Sequence, residues 1–150
     1  MISPEQLAGA APFNRLAAAH LSLVATTARE VTFPAGATIF TEGQLASGCW
    51  LIGSGQVALG THVPGRGQVV VRTLGPGDLL GWSWLVPPHR WRFDARAVKP
   101  SRAIALDAEV LRRTLRSHPT WGFQFMVRFM PVLAERLENT RVQLLDIHAR

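Results

Sequence analysis

The 150-residue chain has a single cysteine, Cys49, so it can form no internal disulfide and no cysteine-built zinc site. A lone thiol fits a reducing, cytoplasmic compartment, and also a secreted protein without disulfides. Long apolar runs are missing too. The best stretch, Trp121 to Leu133, is interrupted by Gln124, Arg128 and Pro131 and falls short of the ~20 residues that cross a bilayer, so no membrane segment is expected. Residues 16–26 are apolar but contain His20 and follow no basic cluster, which reads as an amphipathic helix rather than a signal-peptide core. His20, His62, His89, His118 and His148 stand apart, without the close pair and carboxylate that a metal-dependent cupin enzyme needs. Ser54 lies in Gly53-Ser54-Gly55, a hairpin turn rather than a nucleophile elbow. No catalytic residue and no metal ligand are read, and no enzyme is expected.

What is present fits one domain spanning residues 1–150. Hydrophobic residues make up 47% and charged residues 17%, enough at this length to bury an ordinary apolar core. The net charge is +6, and Arg90 to Arg116 carries eight basic residues against three acidic ones. That segment fits an anionic partner or a solvated arginine-rich surface.

Eleven of the 13 glycines lie between Gly36 and Gly81, a density that marks repeated tight turns. Between them run short β-branched and apolar pieces: Arg29–Phe33, Thr38–Phe40, Cys49–Ile52, Gln56–Thr61 and Val69–Leu74, followed by Trp91–Ala97 and Arg102–Asp107. Strands this short and regular predict a sandwich or barrel over residues 29–107. The ends read as helix, over 1–28 and 108–150. Ser3-Pro4-Glu5 opens one helix, Asp107 caps another over Ala108–Arg116, and Pro119 starts a long one reaching about Ile147. The long helix carries two apolar stripes. Phe123, Met126, Met130, Leu133, Leu137 and Leu144 fall at heptad spacing and predict a homodimer seam. Trp121, Phe125, Phe129 and Val132 form the other, which faces the barrel.

The order FPAGATIFTEG, WLIGSGQV, GPGDLLG, then an arginine-containing strand and two helices, resembles the cyclic-nucleotide-binding domain family over nearly the whole chain. The matching turn residues are Gly36, Gly43, Gly55, Gly77, Asp78 and Gly81. The resemblance implies an eight-stranded, cupin-like jelly-roll barrel with an N-terminal helix and two C-terminal helices, like the effector domain of the catabolite activator protein. It also implies a phosphate cassette, beginning here at Gly81-Trp82-Ser83-Trp84-Leu85. The family's glutamate, which accepts the ribose hydroxyl, falls on Trp82, an indole that only donates. The family's phosphate-binding arginine falls to Arg90 or Arg92, with Trp91 between them.

Three readings of this segment stand open. The tryptophans fill the barrel mouth and no ligand binds; the aromatic rings and guanidiniums hold a different small anion; or the chain is a cyclic AMP or cyclic GMP sensor with a modified cassette. The leading expectation is a noncatalytic regulatory module acting through a protein partner, the alternative of another class being a metal-dependent cupin-type enzyme. The transcription factors of this family continue into a helix-turn-helix domain, whereas this sequence stops at Arg150, so sequence-specific DNA reading is not expected.

Overall fold

The computed structural model describes residues 2–8, 13 and 18–149, with backbone alone at 18, 20, 138–144 and 146–149. Between two helical ends, the glycine-turned middle forms β1 (Arg29–Phe33), β2 (Thr38–Phe40), β3 (Gly48–Ser54), β4 (Val57–Val63), β5 (Gly67–Leu74), β6 (Leu79–Leu80), β7 (Asp94–Ala97) and β8 (Ser101–Asp107). These strands make two four-stranded sheets, in the orders β1-β8-β3-β6 and β2-β7-β4-β5, with every pairing antiparallel. This is the expected jelly roll, built as two sheets over one core rather than as a closed barrel.

Strand boundaries differ from the sequence reading at two places that matter for function. The pair Leu79–Leu80 was not foreseen, because two residues are too few to show an alternating pattern. The strand expected from Trp91 begins only at Asp94. Trp91 instead uses its backbone on the facing loop, donating to Gln44 O at 2.9 Å and accepting from Gly43 N at 2.8 Å.

The helices are α1 (Pro4–Ala8), α2 (Ala18–Ala25), α3 (Ala108–Ser117) and α4 (Pro119–Ala149). Asp107 Oδ1 accepts from Val110 N at 3.0 Å, the N-cap that its position predicts. Only His118 separates α3 from α4. The tight corner depends on Gly122, since a Cβ there would stand 2.7 Å from Leu115 O. Trp121, Phe125 and Phe129 of α4 are fully buried. Phe125 meets Phe13 edge-on at 5.6 Å and Trp84 at 6.1 Å, which anchors α4 on the segment carrying the candidate cassette.

The two stripes of α4 divide differently from the heptad reading. Met126 and Leu133 are partly buried against the core, whereas Phe123, Met130 and Leu137 are exposed, together with Val127. The side chain of Leu144 lies outside the described residues. Where α4 faces the sheets is set by what it packs on, and Arg136 joins the buried side.

Candidate functional site

Residues 81–92 run from the end of β6 to the bend before β7. Gly81 has φ +96, a left-handed conformation that only glycine adopts readily. A Cβ there would also lie 2.8 Å from the Trp91 ring, so the chain turns against that indole. Trp84 is fully buried and donates from Nε1 to Gly81 O at 3.1 Å, closing the turn from inside. Arg112 of α3 donates to Trp84 O at 2.7 Å and ties the same turn to the C-terminal helices. Ser83 is buried within it, and Leu85 packs partly buried against the core.

Backbone alternation separates Trp91 from the two arginines that flank it. The short stretch Arg90-Trp91-Arg92 runs beside the loop at Gly43–Leu45, and successive side chains in an extended segment point to opposite sides. Trp91 points inward. Its ring stacks on Phe40 at 3.8 Å with an interplanar angle of 9°, and Trp50 closes the cluster at 5.9 Å. Arg90 turns away, donating from Nη1 to Gly43 O at 2.8 Å. Arg92 is exposed and borders the cavities beside the cassette.

Two cavities adjoin this segment. The one among Phe40, Gly81, Ser83 and Trp91 has a volume of about 20 Å³, room for little more than one water molecule. The other, about 320 Å³, lies between β4, β5, Trp82 and α4, and its lining is mostly apolar apart from Arg72, Arg92 and Arg136. Leu59, Trp82, Arg92, Phe93 and Arg136 border both.

Sequence reasoning missed Arg72 and Arg136. Arg136 is only 7% exposed and donates from Nη2 to Leu79 O. Burial, with the neighbouring Arg72, holds its guanidinium down at about 10, opposed by Asp78 and Glu135; it is still charged at neutral pH. The nearest acid to Arg72 is the exposed Glu135, at 3.8 Å. The Nε atoms of both arginines are buried without a hydrogen-bond partner. A signal for Arg136 was present: it follows Phe129 by seven residues, which places it on the buried stripe of α4.

Other chemistry is sparse. Cys49 is buried, which pushes its thiol far above the ordinary range and leaves it unreactive. Among the described residues no three His, Cys, Asp or Glu side chains gather as a metal site, and no helix is long and apolar enough to cross a membrane. The basic segment 90–116 is spread over β7 and β8, in different sheets, and α3. Within it Arg102 pairs with Glu30 at 2.9 Å.

The sequence profile described as Cyclic nucleotide-binding domain matches residues 30–118. The chain belongs to this family. Among solved structures it is similar to a candidate cyclic nucleotide-binding protein of Geobacter metallireducens GS-15, with 30% identity, 91% of this chain and 99% of that one covered, and a TM-score of 0.82. A cyclic nucleotide-binding domain from Methylobacillus flagellatus KT matches at 18% identity over 95% of this chain and 80% of that one, with a TM-score of 0.78. The catabolite activator protein of Thermus thermophilus matches at 28% identity over 91% of this chain, with a TM-score of 0.68; the match spans 62% of the Thermus protein. No curated protein sequence matches the chain. The family's fold supports a regulatory module that binds an effector.

Proposed function

We propose that this chain is a noncatalytic, cytoplasmic regulatory module whose cassette has lost cyclic-nucleotide binding and which acts as a homodimer on a protein partner. The observation that carries the reading is Trp82, which stands at the position of the family's glutamate and borders the cavity of about 320 Å³ between the sheets and α4, while Trp91, stacked on Phe40 at 3.8 Å, leaves about 20 Å³ beside it. The anchors are displaced as well. An indole at Trp82 offers no acceptor to a ribose hydroxyl, and Arg90 is spent on Gly43 O. Dimerisation is supported by the exposed apolar side of α4, where Phe123, Val127, Met130 and Leu137 follow one another at spacings of four, three and seven.

Calorimetry with cyclic AMP and cyclic GMP tests the cassette. A charge-assisted hydrogen bond contributes about 1.5–3 kcal/mol, so loss of the carboxylate alone weakens binding roughly ten- to a hundredfold. The expected result is no saturable heat at micromolar nucleotide. Micromolar cyclic AMP binding that disappears in Arg92→Ala would identify the chain as a sensor with a modified cassette. Metal analysis of the purified protein tests the cupin-type alternative. Stoichiometric iron, manganese or zinc held through histidine would make the chain an enzyme candidate.

A further inference from the structure

The sheet β1-β8-β3-β6 carries a groove of its own, apart from the cassette. Strand register sets it out. Arg29 lies opposite Ala105, and Ala105 lies opposite Trp50, so three strands bring these residues into one row on one face. Two residues further along β8, Asp107 lies opposite Gly48 on that same face. The backbones of Arg29 and Trp50 are therefore two strand spacings apart, about 10 Å, with only the methyl group of Ala105 between them. Gly48 leaves the neighbouring place bare, and a Cβ there would stand 2.5 Å from Leu106 O. The groove has a volume of about 310 Å³, at the lower end of the range that holds small molecules.

Its charged groups are open to a ligand. Arg29 and Asp107 are both exposed, and among the described residues neither has an ion-pair partner, the neighbouring Glu30 pairing instead with Arg102. Asp107 spends Oδ1 on Val110 N, which leaves its other oxygen for an incoming donor. The indole of Trp50 is half-buried, with Phe40 and Trp91 at 5.8 and 5.9 Å, and still borders the groove.

We infer that this groove binds a free aromatic amino acid, its carboxylate on Arg29, its ammonium on Asp107 and its ring over Ala105 against Trp50. A plain anion would meet the Asp107 carboxylate beside Arg29, and a plain amine would meet the guanidinium, so a zwitterion alone satisfies both. A guanidinium gives a carboxylate two parallel hydrogen bonds. An aromatic ring gains further from offset or edge contact with the indole. The groove shares no lining residue with the two cavities beside the cassette, so the inference goes beyond the cassette reading and does not depend on it.

The probe is L-phenylalanine, titrated by calorimetry into the full chain alongside phenylpropionate, which lacks the ammonium, and phenethylamine, which lacks the carboxylate. One L-phenylalanine per chain is expected, with each analogue about three- to tenfold weaker, a smaller factor than for a buried pair because both charges are exposed. Arg29→Gln should weaken L-phenylalanine at least threefold and leave phenethylamine no weaker. Asp107→Asn keeps a capping acceptor for α3, since asparagine caps as well as aspartate, and should weaken L-phenylalanine at least threefold while leaving phenylpropionate no weaker. Arg92→Gln, beside the cassette, should change nothing. Absence of saturable L-phenylalanine binding, equal binding of the three probes, or unchanged affinity in both Arg29→Gln and Asp107→Asn would overturn the inference. Loss of binding in Arg92→Gln would overturn it too, by moving the ligand to the cavity beside the cassette.

Discussion

Replacing Trp91 by alanine is expected to lower the unfolding free energy by about 3–5 kcal/mol, the range for a buried tryptophan truncated to alanine, and the melting temperature by roughly 6–20 °C for a chain of this size. The indole is 4% exposed, stacks on Phe40 and lies against Gly81, so its removal leaves a cavity that neither the stacked ring nor the glycine turn can fill. An apolar cavity of that shape takes an apolar guest, and added indole should restore part of the loss. Thermal and denaturant unfolding of the variant, with and without indole, check this. A loss below about 1 kcal/mol would show that Trp91 does not fill the mouth in solution, and would reopen the cassette to a ligand. Cyclic AMP affinity is not expected to appear in this variant, since Trp82 and Arg90 are unchanged.

The double variant Met130→Glu, Leu137→Glu is expected to convert a dimer into a monomer. Both side chains are exposed in the single chain, at 61% and 73%, so the changes add charge where the fold has no use for the apolar group. Burying such a side chain contributes about 1.5–3 kcal/mol. Two of them, repeated across a two-fold, give roughly 6–12 kcal/mol, and association realises only a part of such a sum. Even half corresponds to a factor of about 10²–10⁴ in the dissociation constant. Sedimentation velocity reads the mass, and near-ultraviolet circular dichroism reports whether the packed tryptophans survive. A wild type that sediments as a monomer, or a variant that keeps the dimer mass, would remove α4 as the contact.

Local chemistry made much of the fold legible. Glycine at Gly36, Gly43, Gly55, Gly77 and Gly81 marks turns, and all five adopt positive φ. Asp107 caps the helix it precedes and Pro119 begins the one it opens. Each of these signals is carried by a residue and its immediate neighbours, through backbone freedom, a missing N–H or a side-chain acceptor, and so survives in a single sequence. The same holds for the strands β1 and β2, whose ends agree with the sequence reading.

The site was legible only as a segment. Gly81–Arg92 stands out by its tryptophans and arginines, yet whether Arg90, Trp91 or Arg92 turns inward depends on the pairing of that stretch with the loop at Gly43–Leu45, about 47 residues away in sequence for the Arg90–Gly43 bond. The division of α4 between Met126 and Leu133 on one side and Phe123, Met130 and Leu137 on the other depends on which face meets the sheets, and a heptad spacing is compatible with either. The sequence by itself determined the family resemblance, the order of the helices and of every strand but β6, and the turns between them, because those are carried by residues and their immediate neighbours. Only the tertiary structure decided that Trp91 packs on Phe40 and that Arg72, Arg92 and Arg136 share one cavity, because burial and charge proximity are set by contacts between segments that no local pattern encodes.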